Sequence, residues 1–293
     1  MTEHMKPYNL KTKIFLDGGD PEETKQLIQE LGFLDGQTTN PSLVAKNPDA
    51  LKRIEGGDKY SSKEILEFYK GVVTQISDII PEGSVSIEVY ADEKTSAAEM
   101  MTQARQMNEW IPNAHIKFPT TKVGLLAAAD CVKRGMSVNM TLVFTQEQAA
   151  AVYAATRGAI KGQVFVSPFI GRLDDKGENG MDLIKNILKM YEMGDGHVEV
   201  LTASVRTMNH YNAALALGSD IITGPAKLIK EWKEGGMTVP ATYSYSPKDL
   251  KPIQYVQLDL NKDWQEFDIS HELTDAGIEK FAADWNALIK VTS

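Results

Sequence analysis

The chain has 293 residues, 42% of them hydrophobic, which is enough for one large domain with a substantial core. Its 40 acidic and 31 basic residues give a formal net charge of -9, which argues against a nucleic acid as the main partner. The single cysteine, Cys131, excludes an intrachain disulfide and thiolate zinc sites, and its apolar neighbours predict a thiol buried in a helix.

The polar N-terminal segment Met1–Lys13 lacks the charged-then-apolar pattern of a signal peptide, and no segment approaches the roughly 20 apolar residues of a membrane span. We therefore expect a cytoplasmic protein with no membrane partner. No metal-ligand spacing relates the five histidines, which are His4, His115, His197, His210 and His271. No glycine-rich nucleotide loop opens a helix, so we expect no metal and no other cofactor.

Short apolar or β-branched runs alternate with longer helical segments along the chain, which is typical of repeated βα units. The predicted strands are Ile14–Asp17, Gly36–Asn40, Ser86–Ala91, His115–Pro119, Ser137–Leu142, Val164–Phe169, Val198–Thr202 and Asp220–Thr223. Eight parallel strands predict a closed (β/α)8 TIM barrel. We expect residues 1–293 to form a single domain, with the barrel over about 13–236 and a C-terminal extension over 237–293.

Polar residues end the first two predicted strands. The run Ile14–Asp17 finishes with an isolated carboxylate, and Asp20-Pro21 then offers a helix cap and a proline for the first helical position. The second strand ends in Thr38–Ser42, which indicates either strand termination with helix capping or a set that orients substrate hydroxyls through Asn40. The following loop, Pro41–Ser62, is expected to carry short helices.

Lys117 is the most informative residue, because it lies within the apolar run Ala114–Pro119. Burial removes water from an ammonium and lowers its pKa, and a neutral lysine is the nucleophile that forms Schiff bases with carbonyl compounds. A lysine that reaches solvent is the alternative. Glu88 and Asp17 are comparable isolated charges, and at the carboxyl ends of barrel strands all three would face one mouth.

The fifth predicted strand adds two candidates, Asn139 and Thr141, which are two residues apart and so face the same side. A lysine attacking a ketone requires several proton transfers. Asp17 and Glu88 are suited to these transfers as general acids and bases, with a water held by Thr141. A static ion-pair network around Lys117 is the alternative role for the two carboxylates.

Anion-binding candidates follow the sixth and seventh predicted strands. The segments Ser167–Arg172 and Ala203–Arg206 each place an arginine in a βα loop. Two guanidinium groups together with helix N–H groups make an anion cradle. For Arg172 the alternative is a surface ion pair with Asp174 or Asp175, an arrangement of small energetic value.

The chain beyond the barrel contains a polar, turn-rich connection, Tyr243–Lys251, and then the apolar periodicity of an amphipathic helix over Asp275–Ile289. We expect this helix either on the barrel exterior or over part of the mouth.

Six segments carry a specific pattern in chain order, and they are Phe15–Asp17, Thr38–Leu43, Ile116–Pro119, Val138–Phe144, Ser167–Arg172 and Thr202–Arg206. Together they resemble the transaldolase family of the pentose phosphate pathway. The ending Leu273–Gly277, with Phe281 and Trp285, is also similar to that family. The resemblance implies a cofactor-free class I aldolase barrel whose Schiff-base lysine lies on the fourth strand.

The resemblance further implies transfer of a three-carbon dihydroxyacetone unit from fructose 6-phosphate or sedoheptulose 7-phosphate to an aldose phosphate such as erythrose 4-phosphate or glyceraldehyde 3-phosphate. It makes Lys117 the nucleophile and Asp17 the proton-transfer partner, while Glu88 and Thr141 hold the catalytic water. The implied substrate-binding residues are Thr38, Asn40, Asn139, Ser167, Phe169, Arg172, Ser204 and Arg206. The amides of this set and Ser167 are assigned to the dihydroxyacetone portion, and the arginines are assigned to the phosphate.

Two alternatives stay open at this point. The fructose 6-phosphate aldolase branch of the same superfamily releases free dihydroxyacetone; it typically has shorter chains, with glutamine at the position of Glu88 and tyrosine at that of Phe169. A sugar-phosphate-binding barrel without catalysis is the other alternative, and the intact set of Asp17, Glu88 and Lys117 argues against it. A homodimer is expected from the habit of the family alone.

Overall fold

Eight parallel strands form a closed barrel in chain order, with each strand hydrogen-bonded to the next and the last to the first. The computed structural model describes residues 6–290, so His4 and the rest of the N-terminal segment before Lys6 lie outside the described residues. The strands are β1 (Lys13–Asp17), β2 (Gly36–Thr38), β3 (Ser84–Glu88), β4 (Ala114–Pro119), β5 (Val138–Val143), β6 (Val164–Pro168), β7 (Val198–Thr202) and β8 (Ile221–Gly224). The predicted (β/α)8 TIM barrel is confirmed.

Helices follow the strands along the chain. They are α1 (Pro21–Leu31), α2 (Pro41–Ala45), α3 (Pro48–Glu55), α4 (Ser62–Ile79), α5 (Ala97–Asn108), α6 (Lys122–Lys133), α7 (Gln146–Ala155), α8 (Ile170–Asp175), α9 (Gly180–Tyr191), α10 (Met208–Leu217), α11 (Ala226–Glu234) and α12 (Glu272–Ala287). A short 3₁₀ helix, Trp264–Glu266, precedes α12. The prediction for Cys131 is also confirmed, because this residue is buried in α6.

The helix starts follow capping signals in the sequence. The Asp20 side chain accepts a hydrogen bond from the Glu22 N–H, and Pro21 begins α1. Thr145 and Gln148 form a reciprocal capping box at the start of α7. These contacts satisfy N–H groups that have no partner within the helix, and they fix where each βα loop ends.

Two predicted strands, β2 and β3, have bounds that differ from the observed ones by more than one residue. β2 stops two residues before Asn40, because the Asn40 side chain caps α2. β3 spans Ser84–Glu88 rather than Ser86–Ala91, because the Tyr90 N–H donates to the Gln103 side chain at 2.8 Å instead of to a neighbouring strand. The loop after β2 carries α2 and α3, which confirms the predicted short helices.

Aromatic side chains fill the amino-terminal part of the barrel interior. The Phe165 ring packs edge-on against Phe15, with centroids 6.0 Å apart, and stacks on His115 at 4.0 Å. The His115 imidazole contacts Ser84 Oγ at 2.7 Å and the Gly162 carbonyl at 2.9 Å, and burial lowers its pKa to about 4. This packed layer leaves the carboxyl ends of the strands as the face for a site.

The C-terminal segment runs back over the barrel. Gln146 Nε2 donates to the Val256 carbonyl at 2.6 Å, and Asn186 Nδ2 donates to the Ile253 carbonyl at 2.9 Å. α12 begins three residues before its predicted start, because the His271 side chain caps it, and it contacts both α2 and β5. Within residues 6–290, no helix has both the length and the apolar character needed to cross a membrane.

Candidate active site

A buried ion pair joins β3 and β4. The parallel register places Glu88 beside Lys117, and the Lys117 Nζ lies 2.9 Å from Glu88 Oε2. Each of these two side chains is only 4% exposed. The same Nζ donates a hydrogen bond to the Thr39 carbonyl at 2.9 Å. Burial raises the pKa of Glu88, although the Lys117 ammonium acts in the opposite direction. The predicted burial of Lys117 is confirmed, and the snorkelling alternative is wrong.

The main chain of Glu88 is fixed from behind by Tyr69 on α4. The Glu88 N–H donates to the Tyr69 hydroxyl at 2.9 Å, and that hydroxyl lies 2.6 Å from Thr39 Oγ1. Thr39 Oγ1 in turn donates to the Ser86 carbonyl at 2.7 Å. Tyr69 is fully buried, so this network fixes the position of the Thr39 carbonyl, which accepts the hydrogen bond from Lys117 Nζ.

Asp17 lies at the end of β1, three strands from Lys117 on β4 in the order of the barrel. Thr38 Oγ1 donates to Asp17 Oδ1 at 2.7 Å and lies 2.6 Å from Thr223 Oγ1 on β8. Loss of hydration raises the pKa of Asp17, although the nearby Lys117 ammonium opposes the change. Two carboxyl groups with raised pKa values therefore flank one lysine, a combination typical of proton-transfer sites.

Asn139 and Ser167 form a buried hydrogen-bonded chain beside the lysine. β4 and β5 pair with Lys117 opposite Asn139. Ser167 Oγ donates to Asn139 Oδ1 at 2.6 Å, and Asn139 Nδ2 donates to Ser86 Oγ at 3.1 Å. Asn139 is fully buried, so these bonds fix the orientation of its amide. Ser86 is a member of the site that the sequence analysis missed, although it lies on the same face of β3 as Glu88, two residues before it.

Thr141 follows Asn139 on the same face of β5, as the spacing predicted. Its Oγ1 is buried and contacts no hydrogen-bonding atom of residues 6–290. A buried hydroxyl in a polar cavity normally has a partner. The position of Thr141 is therefore suited to hold a water or a substrate atom.

The cavity at the carboxyl ends of the strands has a volume of about 210 Å³. Nine of the predicted site residues line it, and they are Asp17, Thr38, Asn40, Lys117, Thr141, Ser167, Phe169, Arg172 and Ser204. Glu88 and Asn139 lie behind this wall, in contact with Lys117 and Ser167 respectively. The structure thus brings the predicted residues together, with the exception of Arg206.

Arg172 enters the cavity between two aromatic rings. Its guanidinium carbon lies 5.1 Å from the centroid of Phe169 and 5.4 Å from that of Phe281 on α12. Desolvation lowers the pKa of Arg172, and the Glu88 carboxylate opposes this shift. The alternative of a surface ion pair with Asp174 or Asp175 is wrong for this arginine, because Asp175 pairs with Arg206 and Asp174 contacts His210.

Arg206 lies outside the cavity. Its Nη1 is 2.5 Å from Asp175 Oδ1, and its side chain runs across Gly171, where an added Cβ would lie 2.5 Å from the Arg206 Nε. Arg206 lines an adjacent groove of about 660 Å³ that also includes His210 and Tyr245. This groove is larger than the cavity, but Lys117 and Asp17 line the smaller cavity.

α12 covers part of the mouth, which decides between the two positions expected for it. Lys280 and Phe281 of α12 line the cavity together with Ser42 and Lys46 of the α2 region. The Ser42 hydroxyl donates to the Asp284 carboxylate, which also accepts from Lys280 Nζ at 3.1 Å. The sequence analysis missed these residues as site components, because helical periodicity identifies a buried face without identifying what it covers.

Asn40 caps α2 and also lines the cavity. Its Oδ1 accepts from the Leu43 N–H at 2.9 Å. Within residues 6–290, the His, Cys, Asp and Glu side chains form no group of three or more that could hold a metal ion. The polar groups that converge on the cavity are an amine, carboxylates, hydroxyls, amides and a guanidinium.

Comparison of the sequence with known proteins identifies a family for the chain. The sequence profile described as Transaldolase/Fructose-6-phosphate aldolase matches residues 14–292. A "Probable transaldolase" of Dehalococcoides mccartyi is 36% identical over 278 residues, which cover 95% of this chain and 100% of that protein. A "Probable transaldolase" of Brucella ovis is 37% identical over 273 residues, covering 93% and 96%. One of Alkaliphilus metalliredigens is 34% identical over 278 residues, covering 95% and 100%. The similarity extends over both the barrel and α12.

Proposed function

Because this chain belongs to the Transaldolase/Fructose-6-phosphate aldolase family, we propose that it is a transaldolase. The enzyme transfers a dihydroxyacetone unit from fructose 6-phosphate or sedoheptulose 7-phosphate to erythrose 4-phosphate or glyceraldehyde 3-phosphate through a lysine Schiff base. The observation that carries this proposal is the buried ion pair between Lys117, which lines the cavity, and Glu88 behind it, with Asp17 lining the same cavity.

The first stage is formation of the Schiff base on Lys117. The amine attacks the ketone carbon of the donor, and the carbinolamine then loses its hydroxyl as water to give an iminium. Glu88 takes the proton released by the amine and returns one to the departing hydroxyl through a water held by Thr141. Burial raises the pKa of Glu88, which brings it closer to neutral pH and suits it to exchange protons in both directions.

The second stage breaks the bond between carbons 3 and 4 of the donor. Asp17 removes the proton of the hydroxyl on carbon 4, the aldehyde product forms, and the bonding electrons move into the iminium to give an enamine on Lys117. The acceptor aldehyde then receives these electrons by the reverse sequence, and hydrolysis of the new Schiff base releases the product ketose. The raised pKa of Asp17 suits the carboxylate to act as this base.

We assign the dihydroxyacetone portion to the buried amides and hydroxyls. Asn139 and Ser167 are fixed by their mutual hydrogen bond. The Asn40 Oδ1 is occupied by the Leu43 N–H, so we assign its amide N–H groups to a substrate hydroxyl. Thr38 donates to Asp17, and we assign to it the orientation of that carboxylate. These groups favour a ketose whose hydroxyls on carbons 1 and 3 can form hydrogen bonds with them.

We assign the phosphate to the mouth of the cavity. Arg172 lies there between two aromatic rings, and Ser204 lines the same wall in a left-handed conformation, with φ 58°. Arg206 requires a change of partner before it can join them, because Asp175 now holds its guanidinium. A phosphate carries more charge than the Asp175 carboxylate, so it can compete for this arginine.

Glu88 and Phe169 favour the transferase over the aldolase that releases free dihydroxyacetone. The resemblance associates glutamine and tyrosine with the aldolase at these two positions. Phe169 is 91% buried beside Arg172 and brings no hydroxyl that could hold a second water near the Schiff base. The covalent intermediate is therefore expected to wait for an acceptor.

Borohydride trapping tests the role of Lys117. The enzyme is incubated with fructose 6-phosphate, reduced with sodium borohydride, digested and analysed by mass spectrometry. We expect a three-carbon adduct on the peptide that contains Lys117, and none on Lys13, which serves as an internal control near the other end of the barrel. An adduct on a different lysine, with Lys117 unmodified, would contradict the mechanism.

We further propose that the barrel and residues 237–293 act as one domain. The hydrogen bonds from α7 and α9 to the segment before α12 support this proposal, as does the contribution of α12 to the cavity. A single calorimetric transition is the expected result. The predicted homodimer stays a prediction, and light scattering on the purified protein tests it.

A further inference from the structure

The end of β5 contains an unfavourable backbone conformation. Leu142 has φ 60°, the left-handed region that leucine rarely adopts, and it is fully buried. The pairing of β5 with β6 shifts register between Met140 and Val143, so the irregularity is centred on this residue. Such conformations persist only where surrounding contacts impose them. Leu142 directly follows Thr141, the residue assigned to the catalytic water.

A buried hydrogen bond from α12 holds this conformation. Thr274 Oγ1 donates to the Leu142 carbonyl at 2.9 Å. The Gln148 Nε2 donates to Thr274 Oγ1 at 2.9 Å, while the Gln148 Oε1 accepts from the Phe144 N–H at 2.7 Å. Thr274 is 1% exposed and Gln148 is fully buried. The hydroxyl of Thr274 therefore accepts one hydrogen bond and donates another, and its hydrogen points at the Leu142 carbonyl.

Close packing reinforces the hydrogen bond. An added Cβ at Gly277, one turn after Thr274, would lie 2.6 Å from Leu142 Cδ2 and 2.8 Å from the Arg172 Nη1. Only glycine allows α12 to approach the end of β5 this closely. The first two turns of α12 are thus fitted to the Leu142 backbone and side chain.

The backbone carbonyl that precedes Leu142, that of Thr141, is also fixed. The Thr141 carbonyl accepts from the Thr120 N–H at 3.0 Å and from the Thr120 Oγ1 at 2.9 Å. Both carbonyls that flank the left-handed residue are therefore held, and the backbone torsions of Leu142 are determined by them. Thr141 Oγ1 has no protein partner within residues 6–290 to orient it, so its direction depends on this backbone.

We propose that Thr274 is a positioning residue for the transfer reaction. Its hydroxyl, oriented by Gln148, keeps Leu142 in the left-handed conformation and so aims Thr141 Oγ1 at the water that serves Lys117 and Glu88. This inference rests on the proposed function of Thr141. α12 therefore both covers the mouth and sets the geometry of the water-dependent steps, which are carbinolamine dehydration and Schiff-base hydrolysis.

The test compares Thr274→Val, which keeps the shape and removes the donor, with Thr274→Ser, which restores the donor. We expect Thr274→Val to lower kcat about 10- to 100-fold, because a small misplacement of a catalytic group has effects of this size. The KM for fructose 6-phosphate should change less than about twofold, since the phosphate contacts are kept. Thr274→Ser should recover most of kcat.

Thr156→Val is the matched control. Thr156 is also fully buried, and its hydroxyl donates to the Val152 carbonyl at 2.8 Å at the end of α7. We expect this variant to lose thermal stability but to keep the kcat of the wild type. A kcat of wild-type size in folded Thr274→Val would overturn the proposal, and so would a Thr274→Ser variant as slow as Thr274→Val.

Two further variants keep the outcome decisive. If Thr274→Val does not fold, Thr274→Ala replaces it, because alanine also lacks the hydroxyl donor; a kcat unchanged from wild type in folded Thr274→Ala would overturn the inference. Thr141→Val distinguishes the positioning role of Thr274 from the role assigned to Thr141 itself. A slow Thr141→Val beside a fast Thr274→Val refutes the positioning role alone, whereas a fast Thr141→Val refutes the assigned role of Thr141 and the inference together.

Discussion

The inner wall of the cavity and its mouth are built in different ways. Lys117, Glu88 and Asn139 lie within neighbouring strands, are nearly or fully buried, and take their partners from the parallel register. Arg172 and Arg206 follow the strands in a short helix and a βα loop, and both are at least partly exposed. Arg172 packs between two aromatic rings, whereas Arg206 contacts an exposed carboxylate that a phosphate can replace. A rigid wall sets the chemistry, and an adaptable mouth sets which substrates remain bound.

This comparison predicts that variants of the wall change kcat and variants of the mouth change KM. The largest effect is expected for Lys117→Met. Removal of the amine abolishes the covalent pathway, so turnover should fall by at least about 10³-fold, or roughly 4 kcal/mol of barrier. Binding of fructose 6-phosphate, measured by calorimetry, should remain detectable because the mouth is intact. Full turnover by this variant would contradict the mechanism.

Glu88→Gln is the next largest change. It keeps the shape of the side chain and removes its ability to exchange protons, so we expect kcat to fall about 10²- to 10⁴-fold. The pH profile of kcat should also lose the limb that reports this carboxyl. A variant with the pH profile of the wild type would show that Glu88 is only a static ion-pair partner, which was the alternative raised by the sequence.

The two arginines of the mouth should differ from each other. We expect Arg172→Ala to raise the KM for fructose 6-phosphate roughly 10- to 100-fold, since hydrogen bonds to charged groups contribute about 1.5–3 kcal/mol. Arg206→Ala should raise it only about two- to fivefold, because that arginine exchanges one exposed carboxylate for the phosphate.

Asp175→Asn is the matched control for the two arginine variants. It releases Arg206 from its ion pair, so the KM for fructose 6-phosphate should fall slightly. Raised ionic strength should reduce the difference in this KM between the variant and the wild type. Equal increases of the KM for fructose 6-phosphate in Arg172→Ala and Arg206→Ala would contradict the distinction between an arginine inside the cavity and a peripheral one.

A stability measurement gives the smallest effect. Burial raises the pKa of Asp17 in the folded protein. Folding therefore favours the protonated carboxyl; this stabilisation is full below the ~3.9 of an unfolded aspartate and is lost as the pH rises through the folded-state pKa. At pH 7 the charge is a cost, so Asp17→Asn should raise Tm by about 2 °C, while turnover falls.

The Tm difference between Asp17→Asn and wild type should shrink as the pH is lowered toward 4, because the wild-type carboxyl then becomes neutral as well. Differential scanning calorimetry at several pH values measures it. An Asp17→Asn variant that is less stable than wild type by the same amount at every pH would show that this part of the wall carries no burial cost.

The wall could be predicted from the sequence because its signal is local. An isolated charge within an apolar run is costly unless paired or functional, and Asp17, Glu88 and Lys117 each stand in such a run. Eight βα units then imply that the strand ends meet. The pairing of Glu88 with Lys117 needed only the parallel register, and the structure brings these residues together as expected.

The mouth could not be predicted to the same depth, because its contacts join segments that are distant in sequence. Ser42 meets Asp284, and Phe281 meets Arg172, across more than 100 positions each. Periodicity identified the apolar face of α12 but not its partner. The placement of Arg206 was likewise not predictable, since its choice of Asp175 depends on the path of its side chain over Gly171.

The most direct measurement follows glyceraldehyde 3-phosphate formation from fructose 6-phosphate, with enzyme well below substrate, in the presence and absence of erythrose 4-phosphate. We predict sustained turnover only with the acceptor, because without it the dihydroxyacetone unit stays bound to Lys117. Sustained turnover without the acceptor would contradict the account, since it would mean that the Schiff base is hydrolysed readily and that the enzyme is an aldolase.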